Sequence, residues 1–384
     1  MKKDLFALAI ITLAVLTAGC AEPHDRDGSN DVIDIPTETV KADLTAAPVQ
    51  TSEEPEATEI FLSPSYPPST EAPKVPAITS VSGEYKTYDG TNIMRVDDRA
   101  YEMCVFLEDE TKSYAALISD TAARLKGKTT VYDLIIPTAY GVMMPDDMRE
   151  SISFYIDTGE CIEKVYSDMS SDVKTVSCYD TLMRHRDEFI YFRTDHHWTA
   201  NGAYYAYSEF CKTKGVEPYS LEGRRVDEYG GFLGSLYKEG GNIPELLPEE
   251  TVYAYWPVSE NVKMLITTAE GNQVEEPIIK DVSNYSGANK YSTFAGGDNP
   301  ITEFTNEDVT DGSVCIIIKE SFGNALLPFL ADHYSKVYEI DYRYWKGNVV
   351  ELAEQVGAND LVFANNFMMI SSKSNIGKLN MILH

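Results

Sequence analysis

The sequence predicts an α/β domain over residues 81–384: a three-layer, doubly wound parallel sheet with a β-rich insertion at about 215–310. Three observations support this. Apolar runs short enough for buried strands alternate with stretches of helical periodicity, an order that implies parallel pairing. The alternation stops between 215 and 310, where Gly, Tyr and Glu dominate and short runs alternate in polarity. Residues 21–80 have a composition that builds no core, which places the domain after them.

Lys2 and Lys3 precede an apolar stretch from Leu5 to Leu16. It is too short to cross a hydrocarbon core of ~30 Å and reads as a secretory signal. Leu16-Thr17-Ala18-Gly19-Cys20 sets small residues before a cysteine, which resembles the bacterial lipobox. Residues 1–20 are therefore expected to be a lipoprotein signal peptide, with Cys20 the lipidated first residue of the mature chain. Residues 21–80 hold nine of the chain's eighteen prolines, with twelve acidic residues against three basic ones. Such a stretch buries too little apolar surface to offset its ordering entropy. It predicts a disordered, extended tether.

In the domain, Ser113–Lys126 has helical spacing and Thr130–Pro137 reads as a buried strand. Met148–Ile156 and Ser177–Glu188 come next as helices. Phe189–Phe192 is a short strand running into Thr194-Asp195-His196-His197-Trp198, and Asn201–Lys214 is a helix opening just after it. Inside the insertion, Thr251–Tyr255 and Val262–Thr267 read as strands. The α/β order then resumes. Val314–Ile318, Lys336–Ile340 and Asp360–Ala364 are strands, with helices at Asn324–His333 and Val349–Val356 between them.

The net charge of −29 argues against nucleic acid as a partner, because phosphate binding is driven by Lys and Arg. Beyond Cys20 there are Cys104, Cys161, Cys178, Cys211 and Cys315, none in a C-x-x-C pair, so a zinc ribbon is not expected. Cys315 in its apolar run reads as a small buried hydrophobe. A Cys161–Cys178 bridge is conceivable, but the sequence alone does not establish it.

Polar clusters punctuate the scheme. Asp195–Trp198, Glu320-Ser321, Asp341–Arg343 and Asn365-Asn366 each come just after the end of an expected strand. In doubly wound sheets the carboxyl ends of the strands gather the active residues. A serine hydroxyl is a poor nucleophile until a base takes its proton, and the base works best when a carboxylate fixes its tautomer. Asp195 and His197 sit two apart on one loop, while Ser321 sits on a strand-to-helix turn beside Gly323. Amides of Asn324, Asn365 or Asn366 suit an oxyanion.

The string YFRTDHHWTANGAYYAY, residues 191–207, resembles the signature of the bacterial DHHW family. ESFGNALLPFLADHY, residues 320–334, resembles that family's serine block. The likeness extends over most of residues 81–384. The family in turn resembles the SGNH-hydrolase-like alginate O-acetylation proteins, whose D-x-H precedes the serine, an order circularly permuted relative to ordinary SGNH esterases. This resemblance implies that Asp195 orients, His197 acts as base and Ser321 as nucleophile, with Asn365 or Asn366 supplying an oxyanion amide. Arg343 would substitute for the glycine N–H that the Asp341–Tyr344 turn lacks. Glu320 stands where the family pattern has Asp, and Lys319 where SGNH enzymes have Gly.

Competing readings exist for each residue. Ser321 and Asp195 could simply cap helices, and Asp195, His196, His197 and His185 offer ligand types that zinc accepts. Jointly the serine chemistry is preferred, with no metal and no cofactor. The expected protein is an exported, membrane-anchored lipoprotein on the outer face of the cytoplasmic membrane or the cell surface. It would be a serine-dependent acyl-ester hydrolase or O-acetyltransferase acting on cell-envelope or exported polysaccharide, with a membrane acyl-donor partner for transfer. The alternative is a non-catalytic carbohydrate-binding surface lipoprotein, in which Tyr204, Tyr205, Tyr207, Tyr229 and Tyr237 line a groove.

Overall fold

A computed structural model describes residues 75–384. The signal segment, Cys20 and the tether up to residue 74 lie outside the described residues. Pro76 and Ile78 already accept hydrogen bonds from Arg186 and from the Asp146 N–H, so packing begins a few residues before position 81. No helix among the described residues is long and apolar enough to cross a membrane.

Three short strands come first: β1 (Tyr85–Thr87), β2 (Ile93–Val96) and β3 (Arg99–Glu102), paired as an antiparallel sheet. The helix Glu108–Leu125 is next. It has no side-chain cap, but Glu108, Asp109 and Glu110 in its first turn and Arg124 in its last complement the helix dipole. The central sheet then opens with β4 (Thr130–Ile136) and β5 (Val173–Thr175). Later come β6 (Val226–Phe232), β7 (Glu250–Tyr255), β8 (Val262–Thr267), β9 (Gln273–Glu276) and β10 (Ile301–Asn306). The chain closes with β11 (Val314–Lys319), β12 (Lys336–Asp341) and β13 (Asp360–Asn366).

Eight of these strands form one sheet in the order β5-β4-β13-β11-β12-β10-β8-β9. The five from β5 to β12 are parallel, and β10, β8 and β9 add on antiparallel. Every residue of β11 and β13 is buried, as expected for strands covered on both faces.

The expectation of a wholly parallel sheet is thus corrected. The 215–310 region is β-rich as expected, but three of its strands extend the central sheet, and only the β6–β7 pair stands apart from it. Alternating polarity in β8 and β10 marked strands without revealing which sheet they join.

Other differences are local. Phe189–Phe192 is not a strand; only Tyr191 bridges to Trp198. Its carbonyls are taken instead by Arg99, which donates to Tyr191 and Phe192 at 3.2 and 2.9 Å. The helix expected at Asn324–His333 starts earlier and stops sooner, as a 3₁₀ turn Ser321–Leu326 and then Leu327–Leu330. The helices Thr158–Ser167 and Lys373–Leu383 were not anticipated. Cys161 and Cys178 are unpaired, and Cys315 is buried. Tyr207 and Tyr229 are buried and Tyr204 and Tyr207 pack on Phe329, so these three rings pack on the core, while Tyr205 and Tyr237 are partly buried.

Candidate active site

Residues 193–198 form a tight loop held by the β7 carboxylate of Glu250. Glu250 accepts from the backbone N–H groups of Arg193 and Thr194 at 2.8 and 2.9 Å and from the Thr194 hydroxyl at 2.6 Å. Thr194 in turn accepts from the Gly234 N–H at 3.0 Å. This brings the segment before the helix Ser235–Glu239 against Asp195. The approach leaves no room for a side chain: a Cβ on Gly234 would lie 2.1 Å from the Asp195 Cβ. Asp195 Oδ2 then accepts from the Ser235 N–H at 2.7 Å.

Asp195 Oδ1 accepts from the His197 backbone N–H at 2.9 Å and lies 2.6 Å from His197 Nδ1. On the other side of the ring, His197 Nε2 lies 2.8 Å from Ser321 Oγ. Ser321 opens the 3₁₀ turn that leaves β11, and Glu320 before it caps that turn by accepting from the Phe322 N–H. The fully buried Trp198 ties the two loops together, its Nε1–H donating to the Phe322 carbonyl at 2.9 Å. Tyr291 stacks flat on the His197 ring, centroids 3.9 Å apart at 11°.

This packing sets the protonation states. Burial raises the Asp195 carboxyl, but the imidazoles of His196 and His197 and the bonds from His197 and Ser235 outweigh it and hold the group well below the carboxylate range. Burial and the neighbouring His196 lower His197 to about 4, against the pull of Asp195. At neutral pH the imidazole is neutral. With Nδ1–H donated to Asp195, its Nε2 lone pair faces the serine hydroxyl.

Asp195, His196 and His197 also lie close enough together to share an ion. Their donor atoms are committed elsewhere, however. Both Asp195 oxygens accept N–H groups, and His196 Nδ1 lies 2.6 Å from the Ser235 hydroxyl. His185 stands apart, paired with Glu188 and stacked on Tyr205.

A family model described as DHHW protein matches residues 76–340. The chain belongs to the DHHW family. A crystal structure of a DHHW family protein from Eubacterium siraeum is similar at 24% identity and TM-score 0.68, covering 78% of this chain and 99% of that one. Bacillus cereus PatB1, solved with a sulfonyl adduct, is similar at 16% identity and TM-score 0.62, covering 76% and 98%. The O-acetyltransferase domain of Pseudomonas putida AlgJ aligns more loosely, at 12% identity and TM-score 0.40 over 77% and 98%. Among curated proteins none matches the sequence. At these identities the likeness to PatB1 is one of fold.

The remaining site residues of this DHHW protein are distributed unevenly. Asn324 donates through Nδ2 to Asp298 Oδ1 at 3.0 Å. Arg343 is held by Asp341 at 2.9 and 2.5 Å and by Asp298 at 2.8 Å. Asn366 spends its backbone N–H on Glu320 Oε1 at 3.0 Å, and its side-chain oxygen caps Met368 and Met369. Asn365 donates to the Tyr114 hydroxyl at 3.4 Å, away from Asn366, because successive strand residues face opposite ways. Asn324 is the candidate amide nearest in sequence to Ser321; on β13, Asn366 has its backbone N–H and side-chain oxygen engaged, and Asn365 turns one amide N–H toward Tyr114.

Behind Ser321, Lys319 is fully buried, 2.7 Å from Glu339 Oε1 and 3.8 Å from Asp298 Oδ1. Burial raises Asp298, but Arg343 and Lys319 outweigh it and lower the carboxyl to about 2. Ser235, Gly234, Glu250, Tyr291 and Asp298 were not found by sequence reasoning. All five lie in the 215–310 region, where only the Gly234-Ser235 pair, small residues in a β-rich stretch, offered any local signal.

Proposed function

We propose that this protein is an exported serine-dependent acyl-ester hydrolase or O-acetyltransferase acting on cell-envelope or exported polysaccharide. The observation that carries the reading is the buried chain from Asp195 through His197 to Ser321, with links of 2.6 and 2.8 Å. Ser321 Oγ attacks the acyl carbonyl carbon while His197 Nε2 takes its proton, and Asp195 stabilises the imidazolium that forms. The tetrahedral intermediate collapses, His197 returns the proton to the leaving alkoxide, and an acyl-enzyme remains on Ser321. Water or a sugar hydroxyl, deprotonated by the same His197, then attacks that ester and frees Ser321.

The family resemblance supports acyl transfer and a permuted, three-layer SGNH-like arrangement. The sulfonyl adduct of PatB1 supports it further, since sulfonyl electrophiles capture activated nucleophiles. Residues 1–20 would direct export and Cys20 would carry the lipid, with 21–80 as tether. A Cys20→Ala change should then release the protein or block its processing; a wild-type protein that is soluble and unacylated would end that part of the reading.

Covalent labelling with a serine-directed fluorophosphonate tests the chemistry. Wild type should be labelled, Ser321→Ala should not, and a folded wild type that resists labelling would return the protein to the carbohydrate-binding alternative.

A further inference from the structure

Asn324 stands three residues after Ser321 in a 3₁₀ turn. Side chains at i and i+3 of such a turn eclipse, so the amide lies on the face of the hydroxyl. A primary amide carries two N–H donors and an acceptor oxygen. One donor goes to Asp298 Oδ1 at 3.0 Å. The Asn324 Oδ1 is buried and has no hydrogen-bond partner among the described residues. The Asp298 carboxylate therefore decides which end of the amide faces it, because the reversed amide would set oxygen against oxygen. The second N–H diverges from the first within the amide plane, away from the carboxylate oxygen that the first one occupies.

Asp298 is itself held from three sides. Its chain arrives through Gly296 and Gly297 at φ +70° and +90°, a backbone that favours glycine. Arg343 Nη2 lies 2.8 Å from its Oδ2, and Lys319 Nζ 3.8 Å from its Oδ1. These cations offset the carboxylate's charge, which would otherwise oppose an oxyanion nearby.

We propose that Asp298 is a positioning residue for oxyanion stabilisation: it orients Asn324 so that one amide N–H is spent on the carboxylate and the other is presented to the acyl oxygen at Ser321. This rests on Ser321 being the nucleophile. Asp298 then does for Asn324 what Asp195 does for His197, and a loop of the 215–310 region completes the machinery of the serine turn.

The test is phosphonylation by a fluorophosphonate, whose phosphoryl oxygen takes the place of the acyl oxygen, measured as single-turnover rate against probe concentration. Asn324→Ala should lower the limiting rate about 100-fold with the half-saturating concentration little changed, the usual scale for one oxyanion donor. Asp298→Ala should lower it at least about 10-fold. Adding Asp298→Ala to Asn324→Ala should cost nothing further, and Asp298→Asn, whose amide oxygen still accepts from Asn324, should keep most of the wild-type rate. If Asp298→Ala does not unfold cooperatively, Asp298→Ser, too short to reach the amide, takes its place in the same comparison.

A wild-type limiting rate in Asp298→Ala, or losses that multiply in the double variant, would overturn the inference while leaving the labelled serine intact. A wild type not labelled at Ser321 would instead overturn the nucleophile, and this inference with it.

Discussion

The parallel strands β11, β12 and β13 and the region from β6 to β10 contribute different kinds of group around one hydroxyl. The parallel half supplies Ser321 at the end of β11, the Glu320 cap and the buried Lys319, all within a few residues of each other in sequence. The other region supplies no group of the proposed triad, yet Glu250, Gly234, Ser235, Tyr291 and Asp298 hold the triad loop, the imidazole ring and Asn324. Of the proposed triad, Ser321 thus follows a rigid parallel strand and Asp195 and His197 lie on the loop before the helix Ala200–Lys214, while segments of the 215–310 region orient them. Such a division predicts that changes in the two regions fail differently.

The largest effects belong to the reactive groups. Ser321→Ala should lower acetyl-ester turnover by at least about 10⁴-fold, and adding His197→Ala should cost little more, because the residues act as one unit. Asp195→Asn should be milder than either. Turnover by folded Ser321→Ala at the wild-type rate, measured with a chromogenic acetyl ester, would remove the distinction between the two regions altogether.

Gly234→Ala comes next and sharpens the comparison. Its Cβ would collide with Asp195, and a displacement of about 1 Å at a catalytic group costs on the order of 100-fold in rate. The expected result is a folded protein whose kcat falls by that order. Unchanged kcat would show that the Gly234 contact does not set the position of Asp195. Glu250→Ala should instead act on stability, since it strands the Arg193 and Thr194 N–H groups. A loss of about 2–4 kcal/mol in urea unfolding is expected.

The pH profile gives a smaller, directional test. His197 is held low, near 4, by burial and His196, so the base stays neutral well below its ordinary range. Turnover should be level from neutral pH to about 5 and fall through about 4. Stability carries the same sign. Between the unfolded histidine value near 6.5 and the folded value, the unfolded chain binds the extra proton. This contribution is therefore complete above about 6.5 and is lost as pH falls toward 4. An acid limb at 6–7 would show that the packing of His196 and Tyr291 does not tune the ring. Trp198→Phe should have the smallest effect on turnover, though the lost bond to the Phe322 carbonyl and the cavity left in the core should cost about 2 kcal/mol of stability.

The sequence by itself determined the α/β order of residues 314–364, because strands buried on both faces must be continuous apolar runs such as Val314–Ile318. It also marked Asp195, His197 and Ser321 as one set, through the two-residue spacing on a loop and the serine after a strand taken together with the resemblance to the DHHW family. The structure puts their polar atoms in one chain of hydrogen bonds. Other features could not be read locally. Whether β8 and β10 form their own sheet or extend the central one depends on a partner strand, and β10 finds β12 across Ile301 and Ile340. Phe189–Phe192 has strand composition but loses its partners to Arg99, almost a hundred positions away. The Asn366 backbone N–H is taken by Glu320, 46 positions earlier, a pairing that no local pattern announces. Tertiary structure alone decided these, because a hydrogen bond is satisfied by whichever group the fold brings within about 3 Å, and sequence separation carries no trace of that distance.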